Sequence, residues 1–384
     1  MGLNMKSLNR IYFDNAATTI HKPKEVAEAV YNAIASEEFA NPSRGFYPLS
    51  LNSLGLMLDA RLEVAKLFSI EDSMRVVFTE NITASLNMAI RAFLEPNRHV
   101  ITTQNEHNSV LRPLFDYIGD VSYVRLKSNG RLNYDDFEGM LREDTQAVVL
   151  SHASNVSGIV TDIEFIYEFC KKHNLFLIVD GAQSVGCIEV NLNRELPEMV
   201  YCFTGHKSLY GPQGTGGMVI LTDRKPTQVF SGGSGFDSFN ERQPDNVPDI
   251  FETGTRNIHS IAGLKAGVEY VNSKGIVNIE KDLNQKISYL YNKIKDLEKI
   301  ELYHDFSGIR TPIVSFNIEG FASEEISEYL VENGIMTRSG IHCAPIHHKV
   351  LGTASRGMVR LSLSSFNTYE EIDKVVEIIA QKAV

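Results

Sequence analysis

A lysine follows one of the most apolar stretches of the chain, at the end of a predicted β-strand. The run "MVYCF" (199–203) is short and rich in strand-forming residues, and "TGHKS", which follows it, contains Lys207. Two interpretations are open. Lys207 is either a solvated lysine on a turn, or a desolvated lysine with a lowered pKa that forms a Schiff base with a carbonyl compound. The groups that lie near it decide between them.

The second reactive residue is a cysteine in a segment typical of a loop. The stretch "TRSGIHCAPIHHKVLG" surrounds Cys343 with an arginine and three histidines, which offer positive charge to stabilise a thiolate. The other three cysteines, Cys170, Cys187 and Cys202, lie in apolar patterns typical of the protein core. The four are widely spaced and form no CxxC pair, so the sequence indicates neither a metal site nor a disulfide framework.

Further polar residues stand where predicted strands end, which is where open α/β sheets bind ligands. The stretch "VVFTENITASL" predicts a helix that starts near Ile82 and Thr83, either a phosphate site or a plain helix cap. The stretch "LFLIVDGAQS" ends a buried strand at Asp180, with Gln183 three residues later. A buried carboxylate needs a cationic partner, although a magnesium ligand or a helix cap also fits this position.

Pyridoxal 5'-phosphate is a cofactor that would use all of these groups. We find neither the lysine-containing phosphate loop of nucleotide-binding proteins nor the glycine fingerprint of dinucleotide-binding proteins. The cofactor aldehyde needs a lysine, its pyridine nitrogen an anion, its ring a flat neighbour and its phosphate several donors. These four roles suit Lys207, Asp180, His107 and the helix start at Thr83. Asn155 and Gln183 could contact the ring oxygen.

The predicted elements describe two structural units. Apolar strand patterns alternate with helical patterns up to about residue 257, which indicates an α/β fold with a mostly parallel sheet between helices. Long helices and a few strands follow. We therefore predict a large ligand-binding domain at 17–257 and a smaller α+β domain formed by 1–16 and 258–384, which carries the Cys343 loop. The glycine-rich stretch 231–248 is a predicted surface loop.

Composition and charge exclude several classes of function. The chain has 384 residues, of which 43% are hydrophobic, and a formal net charge of -11. This charge argues against a nucleic-acid or anionic-membrane surface, since such surfaces need a basic patch. Neither a signal peptide nor a membrane-spanning stretch is recognisable. We expect a cytoplasmic protein that acts on a small molecule.

Nine ordered motifs resemble those of the class V fold-type I PLP enzymes, and among them the cysteine desulfurase and selenocysteine lyase group. The resemblance covers nearly the whole chain. The motifs are "YFDNAATT" (12–19), "NPSRG" (41–45), "EHNSVLRPL" (106–114), "HASNVSG" (152–158), "VDGAQSVG" (179–186), "FTGHKSLYGPQGTGG" (203–217), "FETGTRN" (251–257), "RSGIHCAP" (338–345) and "VRLSLSSFNTYEEID" (359–373). The "HCAP" and "FNTYEEID" segments resemble the group whose cysteine lies on a short, ordered loop.

The resemblance implies the fold-type I architecture with a seven-stranded large sheet, and a role for each matching residue. It implies that Lys207 binds the cofactor covalently, Asp180 pairs with its pyridinium and His107 stacks on its ring. The implied phosphate ligands are Ile82, Thr83, Thr204, His206 and, from the partner of a homodimer, Thr255. The implied ring-oxygen contacts are Asn155 and Gln183. The implied substrate pocket consists of Arg360, which binds the α-carboxylate, with Arg338, Asn15 and Ala16.

The reaction that the resemblance implies converts L-cysteine to L-alanine and leaves the sulfur on Cys343 as a persulfide. A sulfur-acceptor protein would then receive it for iron-sulfur or other thio-cofactor assembly. His342 and His347 are candidates to assist the thiolate, and simple loop solvation is the alternative for both. Two other functions stay open: a selenocysteine lyase or other class V lyase or aminotransferase in which Cys343 is incidental, and a catalytically inert PLP-binding scaffold.

Overall fold

The structure is a computed structural model that describes residues 10–42, 45–235 and 238–383. Some of the predicted features fall outside these ranges. They are the first nine residues of the predicted small domain, Ser43 and Arg44 of the "NPSRG" motif, Phe236 and Asp237 of the 231–248 loop, and Val384 at the end of the small domain.

The described residues contain twelve strands, whose apolar, β-branched and aromatic content agrees with their extended conformation. They are β1 Ile11–Tyr12, β2 Val76–Thr79, β3 Val100–Thr103, β4 Val121–Val124, β5 Ala147–Ser151, β6 Phe176–Asp180, β7 Met199–Thr204, β8 Gly216–Leu221, β9 Ile300–Leu302, β10 Ile313–Ile318, β11 Ile335–Met336 and β12 Val359–Ser362. Strands β2, β3, β5, β6 and β7 are buried at every position, as expected of a sheet whose two faces are both covered.

Eleven α-helices connect and cover these strands within the same ranges. They are α1 Lys24–Ala35, α2 Pro48–Leu67, α3 Ile82–Phe93, α4 Asn108–Pro113, α5 Asp136–Gly139, α6 Ile163–His173, α7 Ile258–Lys274, α8 Ile276–Ile294, α9 Ser323–Glu332, α10 Pro345–Val350 and α11 Tyr369–Ala383. A 3-10 turn at Ser73–Arg75 and a π-helical turn at Leu114–Ile118 supplement them. In the described part of the chain, none of the helices combines the length and the hydropathy needed to cross a bilayer.

The large sheet has seven strands in the order β2-β8-β7-β6-β5-β3-β4. Its neighbours run parallel except at β8, which is antiparallel to both β2 and β7. The sheet therefore confirms the predicted α/β class with a mostly parallel seven-stranded sheet. In such a sheet the carboxyl ends of the parallel strands meet at one edge, where they can build a ligand site.

Helices cover both faces of this sheet. One buried cluster joins α2, α6 and α7 to side chains such as Phe78 and Leu177, and a second joins α3 and α4 to the alternate side chains, such as Val77 and Ile178. Helix α7, the first element of the predicted small domain, packs against α1 and α2 and belongs to the first cluster. The boundary between residues 257 and 258 stays a prediction.

A second packing unit follows in sequence. Strands β9, β10 and β12 form an antiparallel sheet in the order β12-β10-β9, and α8, α9 and α11 bury its side chains in a cluster of their own. The N-terminal segment returns to this unit, because β1 pairs in parallel with β11 and Phe13 is buried in the same cluster. The chain thus brings residues near 14, 338 and 360 to the edge of the large sheet.

Candidate active site

A cavity of about 570 Å³ opens where β5, β6 and β7 end and where α3 and α4 begin. This volume suits a cofactor or small ligand. Eleven predicted site residues line it, namely Ala16, Ile82, Thr83, His107, Asn155, Asp180, Gln183, His206, Lys207, Arg338 and Arg360. Residues from distant parts of the sequence therefore form one site.

Lys207 projects into this cavity just after β7. Burial, with repulsion from Arg360 and Arg338, lowers its pKa from 10.5 to about 8, although Asp180 and Asp14 act in the opposite direction. A lysine that loses its proton near neutral pH is a competent nucleophile and base. The structure thus favours the desolvated lysine over the solvated one.

The lowered pKa of Lys207 predicts that acetic anhydride labels it at a lower pH than an ordinary lysine, because the reagent acetylates an amine only in its neutral form. In the full chain without cofactor, we expect acetylation of Lys207 to rise with pH through about 8, since its neutral form predominates above that pH. Lys171 is the control, because a hydrogen bond from its ammonium to Glu168 raises its pKa above 10.5. Peptide mass spectrometry measures both residues. Parallel labelling curves for Lys207 and Lys171 would contradict the assignment.

Asp180 ends β6 and is buried, with its Oδ1 accepting the Ala182 N–H at 2.9 Å. Burial raises the pKa of Asp180, while the Ala182 N–H and the Lys207 charge oppose that rise. Glu106 lies close enough to feel the Asp180 charge, and burial raises its pKa to about 7. A cationic ligand group beside Asp180 would relieve this unfavourable burial of charge.

His107 forms one wall of the cavity and caps α4, since its Nδ1 accepts the Ser109 N–H at 3.0 Å. Burial first, and then the charges of Lys207 and Arg338, lower the pKa of His107 to about 4. The imidazole is therefore neutral at physiological pH, with its proton on Nε2. The Ser109 hydroxyl lies 3.0 Å from that Nδ1 and 2.9 Å from Thr83 Oγ1, which links this wall to the start of α3.

Two buried polar atoms at the end of β7 lack partners among the described residues. They are Thr204 Oγ1 and His206 Nδ1. Buried polar groups are normally hydrogen-bonded, so an unpaired pair beside a cavity indicates a polar ligand. The start of α3 faces the same cavity, where Asn81 Oδ1 accepts the Ala84 N–H at 3.0 Å. The unpaired Thr204 hydroxyl and His206 ring nitrogen suit a phosphate bound near this helix start. The residues as a set fit pyridoxal 5'-phosphate.

Arg360 is the largest fully buried side chain of the protein's described residues. Its Nη2 lies 2.8 Å from Asp14 Oδ1, and its Nη1 donates to the Asn155 carbonyl at 2.9 Å. Its Nε has no partner in the described chain. These contacts hold the guanidinium in the cavity wall, where it can bind a carboxylate.

Cys343 lies beside the cavity and is partly exposed. Its Sγ accepts a hydrogen bond from Arg338 Nη2 at 3.4 Å, and Arg338 lines the cavity. The other cysteines are buried, and burial raises the pKa of the Cys170 and Cys202 thiols beyond their ordinary range. Cys343 is therefore the cysteine that combines access with an adjacent cation.

The two histidines near Cys343 are buried and hydrogen-bonded, so loop solvation does not describe them. His342 Nδ1 lies 3.3 Å from His348 Nε2, and His347 Nδ1 lies 2.8 Å from Asn105 Oδ1. Burial lowers the pKa of His347 to about 3 and that of His342 well below its ordinary value. Both rings are neutral, so the positive charge near the thiol comes from two arginines: Arg338, which contacts Sγ, and Arg360, whose charge also interacts with Cys343.

Besides Cys343, three predicted site residues lie outside the cavity lining, namely Asn15, Thr204 and Thr255. Asn15 Nδ2 donates to the Ser362 carbonyl at 2.9 Å, which ties the N-terminal segment to β12. Thr204 is buried and does not line the cavity. Thr255 is exposed and receives a hydrogen bond from Asn41 Nδ2 at 3.0 Å. Their predicted roles stay predictions.

Several residues of the site were not predicted. Asp14 holds Arg360, Ser109 joins His107 to Thr83, and the Ser151 hydroxyl donates to Glu106 Oε2 at 2.7 Å. Each lies within or directly beside a motif or strand end that the sequence analysis had singled out. Their position in the sequence therefore indicated that they lie near the site. Their hydrogen-bond partners depend on the fold and could not be predicted from that position.

Over most of its length the chain is similar to known proteins. The family model described as "Aminotransferase class-V" matches residues 11–375. A cysteine desulfurase of Haloferax volcanii is 30% identical, in an alignment that covers 96% of this chain and 88% of that protein. A probable cysteine desulfurase of Methanothermobacter thermautotrophicus is 31% identical, with 98% and 95% covered.

Solved structures show the same architecture. The apo structure of a cysteine desulfurase from Thermococcus onnurineus NA1 has a TM-score of 0.89 and 28% identity, and covers 97% of this chain and 94% of that one. The cysteine desulfurase CsdA of Escherichia coli has a TM-score of 0.84 at 23% identity, with 97% and 94% covered. At that identity the second likeness concerns the fold alone.

Proposed function

The chain belongs to the aminotransferase class-V family, and on that basis we propose that it is a pyridoxal 5'-phosphate-dependent cysteine desulfurase. It converts L-cysteine to L-alanine and takes up the sulfur on Cys343. One observation carries this proposal. A partly exposed thiol lies 3.4 Å from Arg338, which lines the same cavity as Lys207, Asp180 and His107.

In this proposal the cavity residues divide between the parts of the cofactor. Lys207 would hold the aldehyde carbon, Asp180 would keep the pyridine nitrogen protonated, and His107 would lie against the ring. Ile82, Thr83, Thr204 and His206 would hold the phosphate, and Asn155 and Gln183 would contact the ring oxygen. When bound, pyridoxal 5'-phosphate supplies an electron sink that stabilises negative charge on the substrate carbons.

The substrate is held by its carboxylate in this account. Arg360 offers a rigid guanidinium whose Nε is unpaired among the described residues, and such a fork binds a carboxylate with defined orientation. Asp14 keeps Arg360 in place from the other side through the 2.8 Å contact. Ala16 and Arg338 complete the surroundings of the substrate.

Proton transfer and sulfur transfer fall to two residues. Once the substrate amine has replaced Lys207 on the cofactor, the free Lys207 amine would take the proton from the substrate α-carbon and later return it, which its lowered pKa permits near neutral pH. The Cys343 thiolate attacks the substrate sulfur, so that the carbon-sulfur bond breaks and a sulfur-sulfur bond forms. The former sulfur-bearing carbon gains a proton and becomes the methyl group of alanine. No external oxidant is needed.

The test of the proposed function is product analysis with the cofactor-loaded protein. Incubation with L-cysteine and a dithiol reductant is expected to give alanine and sulfide in equal amounts, because each turnover splits one carbon-sulfur bond. Formation of pyruvate and ammonia in place of alanine, or no product at all, would contradict the proposal. A protein that binds the cofactor but is inert would behave in the second way.

We further propose that the protein acts as a homodimer. An apolar stripe runs along α2, where the side chains of Leu51, Leu54, Leu58 and Leu62 are 38 to 55% exposed. Such a surface needs cover from a partner. Asn41, which precedes α2 in the chain, contacts Thr255, the residue that is predicted to reach the partner's phosphate site.

Substitution in the stripe tests the homodimer. We expect Leu58→Glu to convert the dimer to a monomer in light scattering, since it places a charge in the buried interface. Val277→Glu is the control, because Val277 is 63% exposed and lies on a different helix, α8. A wild-type protein that is monomeric with bound cofactor would refute the dimer and the role of Thr255 together.

The last proposed step passes the sulfur to an acceptor. A persulfide transfers its outer sulfur to another thiolate by exchange, so a thiol on an acceptor protein is the expected partner. Iron-sulfur or other thio-cofactor assembly is the use that we propose for it. Turnover requires Cys343 to return to the thiol state, which a reducing compartment such as the cytoplasm favours.

A further inference from the structure

We propose that Asn155 is a positioning residue for Cys343, because its side-chain amide ties the cysteine loop to the wall of the cofactor cavity. The cysteine loop is defined as residues 338–344. This inference rests on the proposed function for the use of the thiol. The contacts that support it are independent of the reaction.

The base of the cysteine loop is a short backbone ladder. Arg338 and Arg360 exchange backbone hydrogen bonds of 3.4 and 2.8 Å, and Gly340 and Met358 exchange two of 3.1 Å. Strand β12 is fully buried. It begins at Val359, directly after Met358, and contains Arg360. The loop therefore leaves the ladder from a fixed point, and its tip at residues 342 and 343 needs other contacts.

The tip has an unusual backbone conformation. His342 and Cys343 both have positive φ angles, 52° and 56°. Residues other than glycine rarely adopt this left-handed backbone conformation. Two such residues in succession persist only where neighbouring groups hold them. The tip would therefore relax if its restraints were removed.

Two hydrogen bonds to successive carbonyl groups hold the tip. Asn155 Nδ2 donates to the His342 carbonyl at 2.7 Å, and the Asn108 N–H donates to the Cys343 carbonyl at 2.8 Å. Asn108 directly follows His107, which forms another wall of the cavity. Both restraints thus come from cavity walls. The Asn155 bond is the one that a side-chain substitution can remove.

Asn155 can serve the loop and a ligand together. Its amide has two N–H groups, and the structure gives Nδ2 one acceptor, the His342 carbonyl. Because a carbonyl oxygen accepts only, the orientation of the amide is settled by this contact. The residue lines the cavity, so the second N–H is available to the ring oxygen of the cofactor.

The backbone of Asn155 has a separate task. Its carbonyl accepts a hydrogen bond from Arg360 Nη1 at 2.9 Å, and a side-chain substitution leaves this group in place. The thiol and the carboxylate-binding arginine are thus both set by one residue, through different atoms. Loss of the amide is expected to lower kcat and to change KM for L-cysteine little, since the Arg360 contact persists.

Alkylation of Cys343 by iodoacetamide tests the inference in the full chain, both loaded with cofactor and stripped of it. In the stripped protein, we expect iodoacetamide to alkylate Cys343 roughly threefold to tenfold faster in Asn155→Ala than in wild type, because the variant loses one hydrogen bond to the tip. Gln183→Ala is the matched control. Gln183 also lines the cavity, but its Nε2 donates to the Ala16 carbonyl rather than to the loop.

The two variants separate the possible outcomes. Equal alkylation rates for Asn155→Ala and wild type, or an equal acceleration in Gln183→Ala, would overturn the inference. Asn155→Asp serves if the alanine variant does not fold, because its carboxylate keeps the volume and cannot donate to the His342 carbonyl. The alkylation result in the stripped protein does not depend on turnover, so a failure of the proposed function would be seen separately in the product analysis.

Discussion

Replacement of Cys343 by alanine is expected to reduce sulfide formation from L-cysteine by on the order of a thousandfold or more, while the bound cofactor keeps its visible absorption. The reason is that the partly exposed thiol, with Arg338 Nη2 at 3.4 Å, is the acceptor of the substrate sulfur in our account. The measurement is the initial rate of sulfide release with a dithiol reductant.

Two controls make this result specific to Cys343. Cys187→Ala removes a buried thiol that contacts Ser208 Oγ at 3.0 Å, next to Lys207 in sequence, and is expected to retain most of the activity. L-selenocysteine is the second control, since selenide release does not require an acceptor thiol. Undiminished sulfide formation by Cys343→Ala would show that the thiol is incidental and would favour another class V lyase reaction.

Replacement of Lys207 by alanine is expected to lower alanine formation by about 10²- to 10⁴-fold at least, the contribution typical of a positioned proton-transfer group. The same change is expected to remove the visible absorption band that borohydride reduction abolishes in wild type. Lys207 is the lysine that lines the cavity, and its lowered pKa supplies a neutral amine near pH 8.

Lys22 provides a close control for this substitution. Burial lowers its pKa to about 8 as well, but its Nζ donates to the Gly211 carbonyl at 2.7 Å and it does not line the cavity. Lys22→Ala is therefore expected to keep both the absorption band and the activity. A Lys207→Ala protein that retains the borohydride-sensitive band would refute the covalent role of Lys207.

The large sheet was predictable because its strands carry a strong local signal. The runs at β5, β6 and β7 are apolar, and the helical pattern of α6 separates β5 from β6 at the spacing of a parallel βα unit. Strand β4 was not predicted. Its sequence "VSYV" is only partly buried at the sheet edge, so its pattern is less apolar, and its pairing with β3 is a long-range contact.

The candidate site was predictable only in part, for a physical reason. Asp180 ends β6 and Lys207 lies three residues after the end of β7, so topology alone brings them to one edge of the sheet. The contacts of Asp14 with Arg360 and of Asn155 with the His342 carbonyl join residues from separate parts of the chain. Such pairs depend on how the second packing unit sits on the sheet, which local sequence patterns do not encode.

The most direct measurement of the central claim is peptide mass spectrometry of the cofactor-loaded protein after a single turnover with L-cysteine, without reductant. The account predicts a mass increment of one sulfur atom on the peptide that contains Cys343, with equimolar alanine. The peptides of Cys170, Cys187 and Cys202 serve as internal controls and should stay unmodified, because these thiols are buried. Alanine formation with the sulfur on another cysteine, or with no sulfur on the protein, would contradict the account.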